Sequence, residues 1–152
     1  MGETVSQRTG GATPSGRNQD RVVLRLPALS AYLSVLRTAT ARLASRLDFT
    51  LDDIEDLRIA VDEACAMLLS QAVAGADLEC AFELSADAIA VSVTVPTVDG
   101  QPPARDTFAW TVLNALAGEV DATADVEKNV TISLLKRRAE QDDVVSTEAP
   151  AL

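Results

Sequence analysis

Histidine is absent from all 152 residues. That excludes Ser-His-Asp and Cys-His catalysis, His-ligated zinc and a phospho-accepting histidine. Aromatic side chains make up only 3% of the chain, so a core must be built from Ala, Val, Leu and Ile. Cysteine is nearly absent too. Cys65 and Cys80 lack C-x-x-C spacing and stand in apolar contexts. Two buried thiols in a reducing cytoplasm are the expectation, with a redox pair as the alternative. No apolar run reaches the roughly 18 residues of a membrane span, and MGETVSQRTGGATPSGRNQD at the N-terminus lacks the apolar stretch of a signal peptide. Basic residues are outnumbered by acidic ones, 13 to 23, for a net charge of −10. A general nucleic-acid binder needs the opposite balance. The charge suits a soluble protein that meets a basic partner or none.

What is present fits one domain. Residues 1–20 carry Gly, Ser, Thr, Asn and Gln and almost no large apolar side chain, so they read as a disordered arm. Residues 139–152 read as an acidic disordered tail. The folded domain is expected over 21–138. RVVLRL (21–26) predicts a strand with Val22, Leu24 and Leu26 on one face. Pro27 then suits a helix start, and Leu29, Leu33, Leu36, Leu43 and Leu47 predict a helix over 28–47. Asp48 and Phe49 break it. Thr50 can cap a second helix, with Asp53 in a weak capping box and Asp52, Asp53, Glu55 and Asp56 at its positive end. Ile54, Leu57, Val61, Cys65 and Leu68 form its apolar face, and it is expected to run to Ala74 before Gly75.

LECAFEL (78–84) and AIAVSVTV (88–95) alternate apolar and polar residues, and their short link predicts an antiparallel hairpin. PTVDGQPPA (96–104) is a loop. A helix over 107–117 carries Phe108, Val112, Leu113 and Leu116 and ends at Gly118. A strand over 130–136 follows, paired with a shorter one at 120–122. The order β-α-α-β-β-α-β-β is that of an α+β sandwich, with helices on one face of the sheet.

The segment LRIAVDEACAMLL (57–69) places Asp62 and Glu63 side by side in an apolar helix, about 100° apart around its axis. Both could simply belong to the polar edge of an amphipathic helix. Alternatively, Glu63 faces a cleft where a carboxylate acts as general base.

This run resembles the N-box helix of the GHKL (Bergerat-fold) ATPases, and within them the bacterial anti-sigma factors of the sporulation and general-stress type, which are also serine kinases. The resemblance implies a two-layer sandwich with a mixed, mostly antiparallel sheet covered on one face by about three helices. The family's helix carries E-x-x-x-N, in which Glu polarises the attacking hydroxyl and Asn helps hold Mg²⁺. Glu63 keeps the first position, but Met67 stands at the second, and a thioether is no hard oxygen ligand. PALSAYLSVLRTAT (27–40) is similar to the family's first helix. There Arg37, with Leu33 one turn earlier, is the implied partner contact. AIAVSVTVPTVDG (88–100) looks like the strand into the D-x-G-x-G box, reduced here to Asp99-Gly100-Gln101-Pro102. DTFAWTVLNALAGEV (106–120) matches the helix after the ATP lid, with Thr107, Phe108 and Ala109 where the family has a Gly-rich phosphate cradle. The A-V-D-E-x-C run resembles that of actinobacterial stress anti-sigma factors.

The resemblance therefore implies an anti-sigma factor with degenerate ATP-binding boxes. Its partners would be an alternative sigma factor, a STAS-type antagonist and a second copy of itself. It would need no cofactor, and Glu63 would be a relic base. The alternatives are an active Mg-ATP-dependent serine kinase and a ligand- or redox-sensing variant. Arg58 and Lys136–Arg138 read as solvated charges, and Trp110 as either core or a plug in the vacated cleft.

Overall fold

The computed structural model describes residues 20–139. The expected arm and tail fall almost wholly outside that range. Strand β1 (Asp20–Pro27) is followed by a 3₁₀ turn (Ser30–Tyr32), helix α1 (Leu33–Ser45) and helix α2 (Leu51–Leu69). Strands β2 (Asp77–Leu84) and β3 (Ala88–Pro96), helix α3 (Phe108–Ala117) and strands β4 (Glu119–Ala124) and β5 (Asn129–Arg137) complete the domain. The element order is the one the apolar periodicities predict.

The five strands lie in the order β1-β2-β3-β5-β4, and every neighbouring pair is antiparallel. This corrects the expected mixed sheet. The α1–α2 connection returns the chain antiparallel beside β1, and the α3 connection carries it past the place β5 fills to β4, which runs in the direction of β3, so the parallel strands are never hydrogen-bonded neighbours. The register aligns apolar residues across all five strands. Val22, Phe82, Val91, Leu134 and Val120 form one row, and Leu24, Cys80, Val93, Ile132 and Ala122 the next. A slip of one residue would turn either row to the opposite face, so burial of this face holds the pairing. α1, α2 and α3 cover it, and Leu36, Leu57, Val61, Leu68 and Leu113 pack there fully buried. On the open face, Thr94 and Thr131 share a hydroxyl hydrogen bond of 2.7 Å, and Arg21–Glu83 and Arg25–Glu79 pair across the β1–β2 edge.

Two helix boundaries differ from the periodicity. The first helix was expected from residue 28, but Ala28 donates its N–H to Ala76 O at 2.9 Å, which extends the β1–β2 ladder, and Leu29 is extended. The second helix was expected to reach Ala74. It ends at Leu69 because residues 71–73 instead join the end of β3: Val73 N donates to Pro96 O (2.9 Å) and Val98 N to Gln71 O (3.1 Å). Gly75, at φ +79°, then turns the chain into β2. Phe108 was placed on the apolar face of the third helix, yet it is 82% exposed as the first residue of that helix. Trp110 and Leu113 hold its buried side instead.

Candidate functional site

α2 is the central element. Thr50 caps it, its hydroxyl accepting from Asp53 N at 3.1 Å, and Asp52 and Asp53 lie in the first turn. Leu57, Ala60, Val61, Ala64, Cys65 and Leu68 turn inward. The two neighbouring acids then emerge on opposite flanks, as the ~100° step per residue requires.

Asp62 lies toward α1. Its Oδ2 accepts from Arg37 Nε at 2.6 Å, a pair whose side chains are 39% and 36% exposed for Arg37 and Asp62. This ion pair joins α1 to α2 at their half-buried seam. Among the described residues Arg37 has no other hydrogen bond or ion pair, so its two terminal NH₂ groups are uncommitted. Leu33 does not accompany it at the surface. At 8% exposure it belongs to the core, and its expected role as a partner contact is corrected on that ground: an inward-facing leucine is unavailable to a partner. The exposed apolar side chains of that segment are Leu29, Tyr32 and Val35.

Glu63 and Met67 lie on the opposite flank, one turn apart. Glu63 is half-buried and, among the described residues, makes no hydrogen bond or ion pair. Met67 packs against the core cluster.

The loop after β3 closes on itself. Thr97 Oγ1 donates to Lys128 O (2.8 Å) and accepts from Gly100 N (2.8 Å). Gly100 has φ +70°, and a Cβ there would stand 2.9 Å from Lys128 Cγ. The glycine thus serves a tight turn against the β4–β5 connection. Asp99 is exposed and, among the described residues, accepts only from Gln101 N, at 3.3 Å. The other end of the loop is fastened by Arg105, which donates to Asp121 Oδ1 (2.6 Å) and Ala122 O (3.1 Å) and stacks 4.9 Å over the ring of Trp110. Its guanidinium holds the Asp121 carboxyl below the usual range. Thr107 is the N-cap of α3, and its hydroxyl accepts from Trp110 N at 3.2 Å. Trp110 is buried, so it serves the core beneath this loop.

The run Lys136–Arg138, read as a solvated strand end, is instead a set of ties. Lys136, 15% exposed, donates from Nζ to Leu116 O at the end of α3 (2.9 Å) and lies 3.6 Å from Asp53 in the first turn of α2. Arg138 reaches Leu47 O at 3.0 Å, and Arg137 pairs with Glu119 at 3.5 Å. Arg58 pairs with Glu55 at 3.0 Å. Only the Arg58–Glu55 pair, three residues apart on α2, is announced by sequence spacing; the partners of Lys136, Arg137 and Arg138 lie on other elements or beyond them.

Both cysteines are buried and free. Burial, reinforced by the Asp62 charge, pushes the Cys65 thiol up to about 12, and burial raises Cys80 further. Such thiols remain protonated and weakly nucleophilic at neutral pH. Among the described residues no group of three His, Cys, Asp or Glu side chains is placed to hold a metal ion, and no helix is long and apolar enough to cross a membrane.

No protein-family model matches the chain. The serine-protein kinase RsbW of Halalkalibacterium halodurans is 27% identical over 145 residues, 83% of this chain and 90% of that protein. The anti-sigma-F factor RsbW of Mycobacterium tuberculosis is 32% identical over 104 residues, 68% of this chain. The chain spans 62% of that relative's length, under two thirds. A solved structure of the RsbU and RsbW domains of a Mycobacterium tuberculosis protein superposes with a TM-score of 0.61 at 15% identity, over 80% of this chain and 33% of that one. The chain therefore has homologues among RsbW-type anti-sigma factors and serine kinases, and its antiparallel sheet with three helices is the fold of an RsbW domain.

Proposed function

We propose that this protein is a cytoplasmic anti-sigma factor that sequesters an alternative stress or developmental sigma factor and releases it by partner switching with a STAS-type antagonist. The observation that carries the reading is Arg37: a half-exposed guanidinium with uncommitted terminal NH₂ groups, on the first helix of an RsbW-like fold. Its planar fork is suited to a carboxylate. One such residue serving two partners makes their binding mutually exclusive. The similarity to an anti-sigma-F factor supports the sigma partner, and a homodimer is part of the same proposal.

The reading assigns no nucleotide-dependent step to the chain. Mg-ATP is the cofactor implied by the resemblance, and the residues here do not fit it. Met67 offers a thioether where an oxygen ligand for Mg²⁺ is needed. Lys128 occupies the close approach that Gly100 permits. Thr107 takes up the Trp110 N–H at the start of α3, and Phe108 and Ala109 supply no glycine flexibility near it. Asp99 and Gly100 thus act as a turn, and Glu63 is a relic of a base.

A kinase is the second reading, favoured by one observation: the Glu63 carboxylate is free of partners among the described residues. Two experiments separate these. Co-expression with each alternative sigma factor of the host, followed by co-purification, is expected to recover one stoichiometric complex, lost in Arg37→Ala. Recovery of none would overturn the anti-sigma reading. Calorimetry with Mg-ATP, with the single tryptophan as a fluorescence reporter, is expected to give no saturable signal at millimolar nucleotide. Binding that disappears in Glu63→Ala would put the kinase first.

A further inference from the structure

We propose that Asp62 is a positioning residue for Arg37: it holds the guanidinium by its Nε so that the terminal NH₂ edge stands ready for a carboxylate of the partner. The inference rests on the anti-sigma reading and names the local chemistry of its partner surface.

The geometry carries it in three steps. First, a free arginine has four flexible side-chain torsions, and binding must immobilise them. A hydrogen bond of 2.6 Å from Nε to Asp62 Oδ2 immobilises them beforehand. Second, the bond uses one guanidinium edge. A carboxylate fork uses two parallel N–H donors, and the NH1/NH2 edge supplies both without displacing Asp62. Third, the neighbouring surface of α2 is mixed: Arg58, one turn before Asp62, is already committed to Glu55 at 3.0 Å. Ile59 and Ala66 lie three residues before and four after Asp62 on the same stripe of α2, and both are exposed. The pair is about one-third exposed, so the opposing pull of Asp62 on a partner carboxylate is screened by water. Orientation therefore outweighs repulsion.

A plain strut between α1 and α2 would use the same ion pair, and the experiment separates the two roles. The probe is the purified sigma factor recovered by co-purification. Asp62→Asn keeps an acceptor for Nε and is expected to bind within about threefold of the wild type. Asp62→Ala removes the acceptor and is expected to weaken binding about three- to tenfold, the range of one immobilised side chain. The charge swap Arg37→Asp with Asp62→Arg restores the ion pair but reverses the charge offered to the partner. It is expected to recover thermal stability and not binding. In ¹⁵N-edited NMR of the free protein, the Arg37 Nε–Hε signal is expected to be protected in wild type and Asp62→Asn and lost by exchange in Asp62→Ala. Binding by Asp62→Ala as tight as wild type, or recovery of binding in the swap, would sink the positioning role while leaving the anti-sigma reading intact. Failure of the wild type to bind any sigma factor would sink both.

Discussion

Asp62 and Glu63 are neighbours in the chain and chemically near-identical, yet the fold treats them differently. On the α1 flank of α2, Asp62 is joined to Arg37 in an ion pair that bridges two helices. On the opposite flank, Glu63 has no partner among the described residues. One helical step of about 100° separates the two roles. Adjacent residues of one helix can therefore belong to different surfaces. The α1 flank carries the half-exposed Arg37–Asp62 ion pair. On the other side, the loop over residues 97–107 is tied to β4 and to the β4–β5 connection by Arg105, Thr97 and Gly100.

The strongest way to break that contrast is to unmake the packed side. Trp110→Ala removes a buried ring under the loop, and urea unfolding should show a loss of about 3–5 kcal/mol. If the loss is below about 1 kcal/mol, the loop region is not packed as described. Gly100→Ala comes next. It adds the Lys128 clash to the cost of a left-handed conformation, so it should destabilise by more than the ~1 kcal/mol expected for Gly75→Ala, which has positive φ but nothing within 4 Å. Equal effects at the two glycines would remove the close approach from the account.

On the α1 flank, Asp62→Ala should cost about 0.5–1 kcal/mol, the range for a part-exposed pair, and a double-mutant cycle with Arg37→Ala should return a coupling of about 0.5 kcal/mol. Strict additivity would mean the pair is not formed in solution. Glu63→Gln, with no partner to lose, should lie within about 0.5 kcal/mol of wild type by the same measurement. A larger effect would reveal a structural role on the second flank. The smallest effect concerns acid. The folded-state pKa of Asp121 is lowered by Arg105, so its contribution is present above the ordinary carboxylate pKa and is lost as pH falls through the lowered value. An acid titration should therefore show wild type losing stability relative to Arg105→Ala as pH falls below about 4. Parallel curves would mean that the Arg105–Asp121 contact does not persist.

Sequence reading went furthest where a pattern repeats within one element. The apolar alternation of residues 78–95 and the spacing of Leu57, Val61, Cys65 and Leu68 each report one buried face, and the structure buries those faces. Thr50 and Gly118 signalled helix ends through local chemistry, and each stands at its end, while Thr107, read as the first residue of its helix, is the N-cap. Reading fell short where a neighbour competes for the same backbone groups. Ala28 and residues 71–73 carry helix-compatible side chains, but their N–H and C=O groups pair with β2 and β3. Leu33 was legible as a helical leucine and not as core, because which stripe of α1 faces inward depends on where that helix starts.

By itself the sequence determined the elements, their order and the composition of the core, since these follow from periodicity and from short-range caps and turns. It also determined what is chemically missing: histidine altogether, an oxygen ligand at Met67, and glycines at 107–109. Only the tertiary structure decided which of two adjacent acids meets Arg37, that Lys136 ties α3 to α2, and that Gly100 gives its space to Lys128. Those pairings join residues 20 to 83 positions apart, and side chains at such separations meet only once the packing of helices on the sheet has set their distance and direction.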